Sequence, residues 1–527
     1  MITANNITVQ FGKKPLFEDI TITFNKGNVY GLIGANGSGK STFMNVLSGE
    51  IEPSSGYVSI KKDRRVSMLS QDQFAFEDVK ILDCVMMGHK QLWKIKLERD
   101  RIYSLDKMTE EEGIKVSNLE IDFADLDGYS SESNAAELLL GLGIPKDDHQ
   151  ILMRDFSPEK KLKVLLAQAL FGDPEIMLLD EPTNNLDLDT ITWLEQTLKD
   201  RNSTMIIISH DRHFLNNVCT HMVDLDYGNL HLYNGNYDSF MVESALSRSL
   251  LMNENTKKEA KIKELESFVR RFSANASKAK QATSRANQLK KIKLEEVKKS
   301  SRVYPFIQFN QEKKVYNSAL EVERIKKSFD TIDVIKNFSI HIESGERVAI
   351  VGKNGIGKTT LIQCITKNLQ SDSGKVIWNK NANIGYFAQN HNKEFDSNIS
   401  LIDWMSKWAN KNDDMQVIRA TLGRLLFSQD HINKNIDVLS GGEKRRMIFG
   451  KIILQRPNII IMDEPTNHLD METIESLNLA LSRFEGTLIF SSHDREFISS
   501  LATRIIEINN DGIKDYSTNH ELLRPNK

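Results

Sequence analysis

Gly34-Ala35-Asn36-Gly37-Ser38-Gly39-Lys40-Ser41 fits the pattern G-x-x-x-x-G-K-[ST], and Gly352-Lys353-Asn354-Gly355-Ile356-Gly357-Lys358-Thr359 fits it again. A glycine-rich loop of this kind, between a strand and a helix, cradles phosphate with backbone N–H groups. The motifs downstream repeat in the same order. Leu179-Asp180-Glu181-Pro182-Thr183-Asn184 is matched by Met462-Asp463-Glu464-Pro465-Thr466-Asn467, and Ser209-His210-Asp211-Arg212 by Ser492-His493-Asp494-Arg495. The spacings are equal. Lys40 to Gln71 and Lys358 to Gln389 are both 31 residues, and Glu181 to His210 and Glu464 to His493 are both 29. One polypeptide therefore carries the same nucleotide-binding unit twice.

Each unit opens on an apolar run that leads into its glycine-rich turn, Val29-Tyr30-Gly31-Leu32-Ile33 in the first and Arg347-Val348-Ala349-Ile350-Val351 in the second. Later apolar runs at 176–179, 205–208, 459–462 and 488–490 are short and rich in β-branched residues, as suits strands buried on both faces of a parallel sheet. Strands alternating with helices predict an α/β sandwich in each half.

The residue types at these positions suit phosphoryl chemistry. Lys40 and Lys358 are placed to reach β- and γ-phosphates. Ser41 and Thr359 offer a hydroxyl to Mg²⁺, a hard cation that favours oxygen. Thr42 and Thr360 follow at the helix start and join the nucleotide-contacting set. Asp180 and Asp463 end apolar strands, beside the expected metal shell, and Gln71 and Gln389 add a neutral oxygen for metal or water. Glu181 and Glu464 come next and can polarise an attacking water. His210 and His493, after the following strand, face the γ-phosphate side.

Composition sets the surroundings. With 527 residues, 40% apolar and 27% charged, the chain reads as a soluble globular protein. No apolar stretch reaches the ~18–20 residues needed to span a bilayer. The N-terminus lacks the basic start and apolar core of a signal peptide. Cys84, Cys219 and Cys364 are too few for a disulfide framework or a zinc site. The expected location is a reducing cytoplasm.

The net charge of −3 is unevenly spread: residues 257–299 hold 14 Lys/Arg against 5 Asp/Glu. From Ser267 to Leu294 there is no acid, only Arg270, Arg271, Lys278, Lys280, Arg285, Lys290, Lys291 and Lys293. Residues 241–318 are helical in composition, with Ile262, Leu265, Val269 and Phe272 forming a narrow stripe. An antiparallel helical hairpin with a basic tip is expected, touching a polyanionic partner; the alternative is an ordinary solvated helix face. The interval from Gln71 to Ser157 is 86 residues, against 51 from Gln389 to Ser440. The extra length falls at about 89–127, where Leu92, Ile95, Ile102 and Leu105 have helical spacing and Thr109-Glu110-Glu111-Glu112 reads as a helix start. A projecting helical arm is expected, with a surface loop as the alternative.

Leu439-Ser440-Gly441-Gly442-Glu443-Lys444-Arg445-Arg446 lies before the second catalytic carboxylate, with 24 residues from Ser440 to Glu464. It resembles the LSGGQ-type signature of ATP-binding cassette (ABC) proteins, and with the other motifs the resemblance covers both halves. Two cassettes, an insert in the first and a charged helical linker resemble the ABC-F group of ribosome-associated ATPases. So does Glu-Pro-Thr-Asn-x-Leu-Asp, present at 181–187 and 464–470. Detail in Met86-Met87-Gly88-His89-Lys90-Gln91-Leu92-Trp93 and in Arg271-Phe272-Ser273-Ala274-Asn275-Ala276-Ser277-Lys278 resembles the YbiT-type bacterial branch of that group. The resemblance implies a monomer whose cassettes, 1–240 and 319–527, pair head to tail around ATP and Mg²⁺. Each signature then caps the γ-phosphate held by the other P-loop. It also implies ribosome binding, with the linker 241–318 near tRNA and rRNA. The alternatives are the ATP-binding subunit of a membrane transporter, which would need a separate membrane partner and leaves the basic linker unexplained, and a DNA-repair ATPase, which would bring zinc-binding cysteines or much longer coiled coils, neither of which this chain has.

One departure stands out. Aligned on the 24-residue spacing, the first signature reads Phe156-Ser157-Pro158-Glu159-Lys160. Ser157 matches Ser440, but both glycines are replaced, and Pro158 has no N–H to donate. The composite site on the second P-loop is expected to be the weaker. Phe11 and Phe329, each 29 residues before its P-loop lysine, are candidate adenine platforms; a core role is the alternative.

Overall fold

The computed structural model describes residues 1–272 and 302–516, apart from 13, 62–63, 71, 330–331, 396–398, 412 and 510–511, and between 273 and 301 only residues 284, 287 and 289. Each half is built on a six-stranded sheet. In the first its order is Val66–Met68, Ile176–Asp180, Thr204–Ile208, Val29–Ile33, His221–Asp226, Asn229–Asn234. In the second it is Ile384–Phe387, Ile459–Asp463, Thr487–Ser491, Arg347–Gly352, Arg504–Asn509, Gly512–Tyr516. Five strands are parallel in each and the last pairs antiparallel. The central strands are buried along their whole length, because helices cover one face and a three-stranded antiparallel sheet covers the other. The chain is thus two tandem α/β cassettes.

The P-loops sit where the strand Val29–Ile33 meets the helix Lys40–Ser48, and where Arg347–Gly352 meets Lys358–Ile365. Gly34 and Gly352 have φ of 154° and 153°. A Cβ at either would lie 2.4 Å from a backbone carbonyl, of Leu225 and Ile508 respectively. Only glycine lets the loop pass that close to the neighbouring strand end.

Residues 89–127 form two helices, Lys90–Tyr103 and Glu110–Asp125. The second opens on a capping box between Thr109 and Glu112. The pair is tied by Lys115 to Glu98, by Tyr103 Oη donating to Glu120 at 2.8 Å, and by the Arg99 guanidinium 3.8 Å from the Phe123 ring centroid. Leu105 falls beyond the first helix and is exposed.

The linker begins as one helix, Tyr237–Phe272, with Leu265 of the expected stripe buried. The side chain of Arg271, and Lys278, Lys280, Arg285, Lys290, Lys291 and Lys293, lie outside the described residues, and so does the expected hairpin tip. The expectation of helix through 318 fails at its far end. Residues 303–317 run without regular structure, and Pro305, Ile307 and Phe309 are buried while Phe306, Gln308 and Asn310 are exposed. That alternation is an extended chain lying on a surface, with one face turned in. Ile307 and Phe309 join the core of the second cassette, and the Phe306 N–H donates to Arg424 O at 2.8 Å.

Both roots of the linker are fixed between the cassettes. Tyr237 and Phe240 are buried. Arg302 lies with its guanidinium 5.4 Å from the Phe240 ring centroid. It donates to Asp224 of the first cassette at 2.7 Å and is 3.5 Å from Glu472 of the second. Burial pushes both carboxyls up and Arg302 opposes that shift. Removing one partner of a buried pair leaves the other charge uncompensated and costs about 3 kcal/mol. Arg302→Ala is therefore expected to lower the denaturation midpoint, and Arg302→Ala with Glu472→Gln to recover part of the loss. An unchanged midpoint in the single variant would show that the bridge carries no stability.

Candidate active site

Each catalytic-type glutamate turns out of a strand end in the left-handed conformation, Glu181 at φ 53° and Glu464 at φ 48°. Such backbone is costly for a residue with a side chain and concentrates at functional sites. It is held by the neighbouring strand: the Glu181 N–H donates to Ile208 O at 2.8 Å and the Glu464 N–H to Ser491 O at 3.1 Å. Burial pushes both carboxyls up to about 8.

The histidines close over these carboxyls. His210 Nε2 is 3.4 Å from Glu181 Oε1, and the His210 N–H donates to Glu181 Oε2 at 3.3 Å. His493 Nε2 is 3.2 Å from Glu464 Oε1 and 3.1 Å from Lys358 Nζ. An ammonium donating to Nε2 requires that nitrogen to be unprotonated. Accordingly burial, reinforced by the P-loop lysine, lowers His210 to about 4 and His493 to about 3.

The P-loop lysines curl over their own loops. Lys40 Nζ donates to Gly34 O at 2.8 Å and Ala35 O at 3.2 Å; Lys358 Nζ donates to Gly352 O at 2.7 Å and Lys353 O at 3.2 Å. Asp180 bonds Ser41, and Asp463 bonds Thr359 and accepts from Ser491 Oγ at 2.6 Å. The Thr359 hydroxyl also lies 3.4 Å from Gln389 Oε1. Gln71 lies outside the described residues. The donor set, a hydroxyl and a carboxylate in each cassette with an amide oxygen in the second, is hard and oxygen-only. Asp463 Oδ2 is buried without a hydrogen-bond partner. Among the described residues no cluster of three His, Cys, Asp or Glu could hold a metal alone. The oxygen-only donor set fits Mg²⁺, which is commonly held by one or two carboxylates together with substrate phosphates.

The cassettes meet head to tail at these sites. Asn36 Nδ2 donates to Asp470 Oδ2 at 2.9 Å. In the mirror contact, the Asn354 N–H is 3.5 Å from Asp187 Oδ2 and Asn354 Nδ2 donates to Asn185 O at 2.9 Å. The second P-loop faces a cleft of about 310 Å³ lined by Lys358, Thr359, Thr360, Gln389, Glu464 and His493. Glu159 and Asn185 reach the same cleft from the first cassette. Gly355 and Ile356 also border a neighbouring cavity of about 440 Å³. Ala35, Asn36, Gly37 and Ser38 line one of about 520 Å³ on the first P-loop. Phe329 borders the 310 Å³ cleft; Phe329 and Phe11 are both exposed, so neither is a core residue.

The two signatures differ in build. Ser440 caps the helix Gly441–Gln455 in a full capping box with Glu443, and space beside Gly441 and Gly442 is open. Ser157 makes no side-chain cap, and Pro158 begins its helix. The sequence reading missed Asp187 and Asp470 as cross-cassette acceptors. Their position one residue before a helix was the available signal.

The buried Glu181 carboxyl has a consequence for stability. Unfolded it ionises near 4.5; folded, near 8. Between these values the native state binds the extra proton, so this group's contribution falls as pH rises through that window. Glu181→Gln is expected to raise the melting temperature over wild type at pH 8, with the gain shrinking toward pH 4.5. A gain that is flat across this range would place the carboxyl in a water-like environment.

Comparison with known proteins agrees with this geometry. Residues 17–184 and 335–467 match a family described as ABC transporter, and residues 223–309 match a second with the same description. The chain is 60% identical to the probable ATP-binding protein YbiT of Escherichia coli O157:H7, over 99% of this chain and 98% of that protein. It is 46% identical to the uncharacterized ABC transporter ATP-binding protein YkpA of Bacillus subtilis, over 100% and 98%. Among solved structures, archaeal ribosome recycling factor aABCE1, in complex with the ribosomal stalk protein aP1, aligns with a TM-score of 0.63. That match covers 95% of this chain and 87% of the other at 17% identity, a likeness of fold. The chain belongs to the ABC family of P-loop ATPases, in its ABC-F group.

Proposed function

We propose that this chain is a cytoplasmic translation factor that hydrolyses ATP at two composite sites and acts on the ribosome. The observation that carries the two-site reading is the reciprocal contact of each P-loop asparagine with the opposite cassette, Asn36 with Asp470 and Asn354 with the 185–187 segment. The working unit is one chain, with cassettes at 1–240 and 319–527, the arm near 89–127 and the linker at 241–318.

In each site the P-loop amides and Lys40 or Lys358 bind the phosphates. Ser41, Asp180 and Gln71, or Thr359, Asp463 and Gln389, would hold Mg²⁺, which when bound neutralises phosphate charge. Glu181 and Glu464 orient and deprotonate the attacking water; a carboxyl titrating near 8 is matched to that task at neutral pH. His210 and His493, kept neutral, face the γ-phosphoryl. Ser440, Gly441 and Gly442 cap the first site, and Ser157 the second. Phe11 and Phe329 are the adenine platforms. Catalysis is then positioning and charge stabilisation.

Membership of the ABC-F group supports the ribosomal role, as does the shared fold with a ribosome recycling factor and the acid-free basic run 267–294. No described helix is long and apolar enough to cross a membrane. Closure on ATP would set the pose of arm and linker against rRNA and tRNA, and hydrolysis would release it.

Two measurements test this. Glu181→Gln with Glu464→Gln is expected to keep ATP binding and lose hydrolysis by about 10²–10⁴-fold. The double variant should co-sediment with ribosomes on sucrose gradients; migration with membranes instead would favour a transporter subunit. Of the single variants, Glu181→Gln is expected to lose more turnover, because its site has the intact signature. Equal losses would show that Pro158 and Glu159 are tolerated.

For the linker, Arg270, Arg271, Lys278, Lys280 and Arg285 changed together to Glu are expected to weaken ribosome binding. The salt slope should flatten by roughly 0.7–0.9 for each phosphate that is no longer neutralised. ATPase activity without ribosomes should hold. Unchanged binding and slope would make this face a solvated one.

A further inference from the structure

The two signature helices are not joined to their own cassettes in the same way. Counting five residues from the helix-capping serine gives Arg445 in the second signature and Leu162 in the first. Arg445 is largely buried in the helix Gly441–Gln455, and its Nη1 donates to the backbone carbonyl of Asn467. Asn467 lies midway along the segment 464–470, between Glu464 and Asp470. Signature helix and segment are thereby fastened to each other within one cassette. On the head-to-tail reading both serve the first composite site. Ser440 and the two glycines begin the helix, and Asp470 Oδ2 accepts from Asn36 of the first P-loop at 2.9 Å.

The guanidinium has no acid to answer it. Among the described residues no carboxylate pairs with Arg445, and burial lowers it to about 10. In the first signature the nearest cation in register is Lys163, one residue further on, where Asp187 opposes the lowering that burial brings. A buried charge without a counter-charge costs stability, which an apolar side chain such as that of Leu162 would not. Arg445 is thus better explained by what it holds than by what it adds to the core.

The glutamate end of the segment has its own anchors. The Glu464 N–H donates to Ser491 O at 3.1 Å and lies 3.0 Å from Ser491 Oγ, and Thr466 Oγ1 is 3.3 Å from Ser492 Oγ. Past them the chain turns through His468, at φ 54°, before it reaches Asp470. Left-handed backbone at a residue with a side chain persists only where its surroundings hold it. Arg445 holds the carbonyl just ahead of that turn.

We infer that Arg445 is a positioning residue for hydrolysis at the first site: it sets the signature helix and the Asp470 turn of the second cassette in one pose against the first P-loop. It touches no reacting atom and acts through Ser440, Gly441, Gly442 and Asp470. This rests on the two-site reading proposed above and adds to it a residue that serves one site only.

The test measures steady-state ATP hydrolysis by the full chain in two backgrounds: Glu464→Gln, which leaves the first site active, and Glu181→Gln, which leaves the second. In the first background Arg445→Leu is expected to lower kcat about ten-fold, the size of one charge-assisted hydrogen bond, with the ATP KM held within about two-fold. In the second background kcat should change by less than about two-fold. Arg445→Lys, which keeps a donor, should recover part of the loss. The melting temperature of Arg445→Leu should hold or rise, because an unmatched buried charge gives way to an apolar side chain. Equal losses in both backgrounds, with a fall in melting temperature, would make Arg445 a structural residue and overturn the inference. An unchanged kcat in the Glu464→Gln background would overturn it too, with the two-site reading left standing. Absence of turnover in both backgrounds before Arg445 is altered would overturn the two-site reading and the inference together.

Discussion

Two aspartates hold the molecule in its working arrangement. Asp187 and Asp470 each use Oδ1 to cap their own helix, accepting from the Thr190 N–H at 3.0 Å and the Thr473 N–H at 2.7 Å. Each turns Oδ2 across to the P-loop of the other cassette, on Asn354 and Asn36. One carboxylate therefore fixes a local backbone and a long-range partner together. The catalytic-type glutamate lies six residues earlier on the same segment. Each P-loop thus leans on the short segment that carries the other cassette's glutamate.

The interface between the cassettes is not symmetric. Arg212, two residues after His210, reaches Glu475 at 3.3 Å and Glu496 at 3.2 Å. Its counterpart Arg495 reaches Thr192, which stands in register with Glu475. Arg212 thus meets two carboxylates across the interface where its counterpart Arg495 meets a neutral hydroxyl. Arg212 also stacks on Tyr237 and lies 4.0 Å from Asp238, at the start of the linker helix. Of the two arginines, Arg212 is therefore the one that joins the interface to the linker.

Much of this was legible in the sequence because it is local. The strands at 176–180 and 459–463 announce themselves as apolar runs ending in acid, since a strand buried on both faces admits nothing else. The capping box at Thr109 and Glu112 was readable for the same reason. What escaped depends on residues far apart. No periodicity tells that Asp470 finds Asn36, or that Arg302 joins Asp224 to Glu472. The segment 303–317 is the instructive failure. The helical composition of 241–318 taken as a whole suggested continued helix, but Pro305 and the alternation of Ile307 and Phe309 carried the period of an extended strap.

That strap explains how a long helix can report on the cassettes. The helix Tyr237–Phe272 enters on a buried root packed in the first cassette, and the returning chain is pinned to the second by Ile307 and Phe309. Arg302 and Tyr304 join the roots where the cassettes meet, Arg302 on Asp224, Glu472 and Phe240, Tyr304 on Glu475. A linker attached to one body would follow that body alone. Attached to both, its base would feel any displacement of one cassette against the other, and a helix about 54 Å long would turn a small change of angle at its root into a large displacement at its end. The ion pairs there tie that root to both bodies: Arg302 serves an acid of each cassette, Asp224 and Glu472, and opposes the upward push that burial gives both carboxyls.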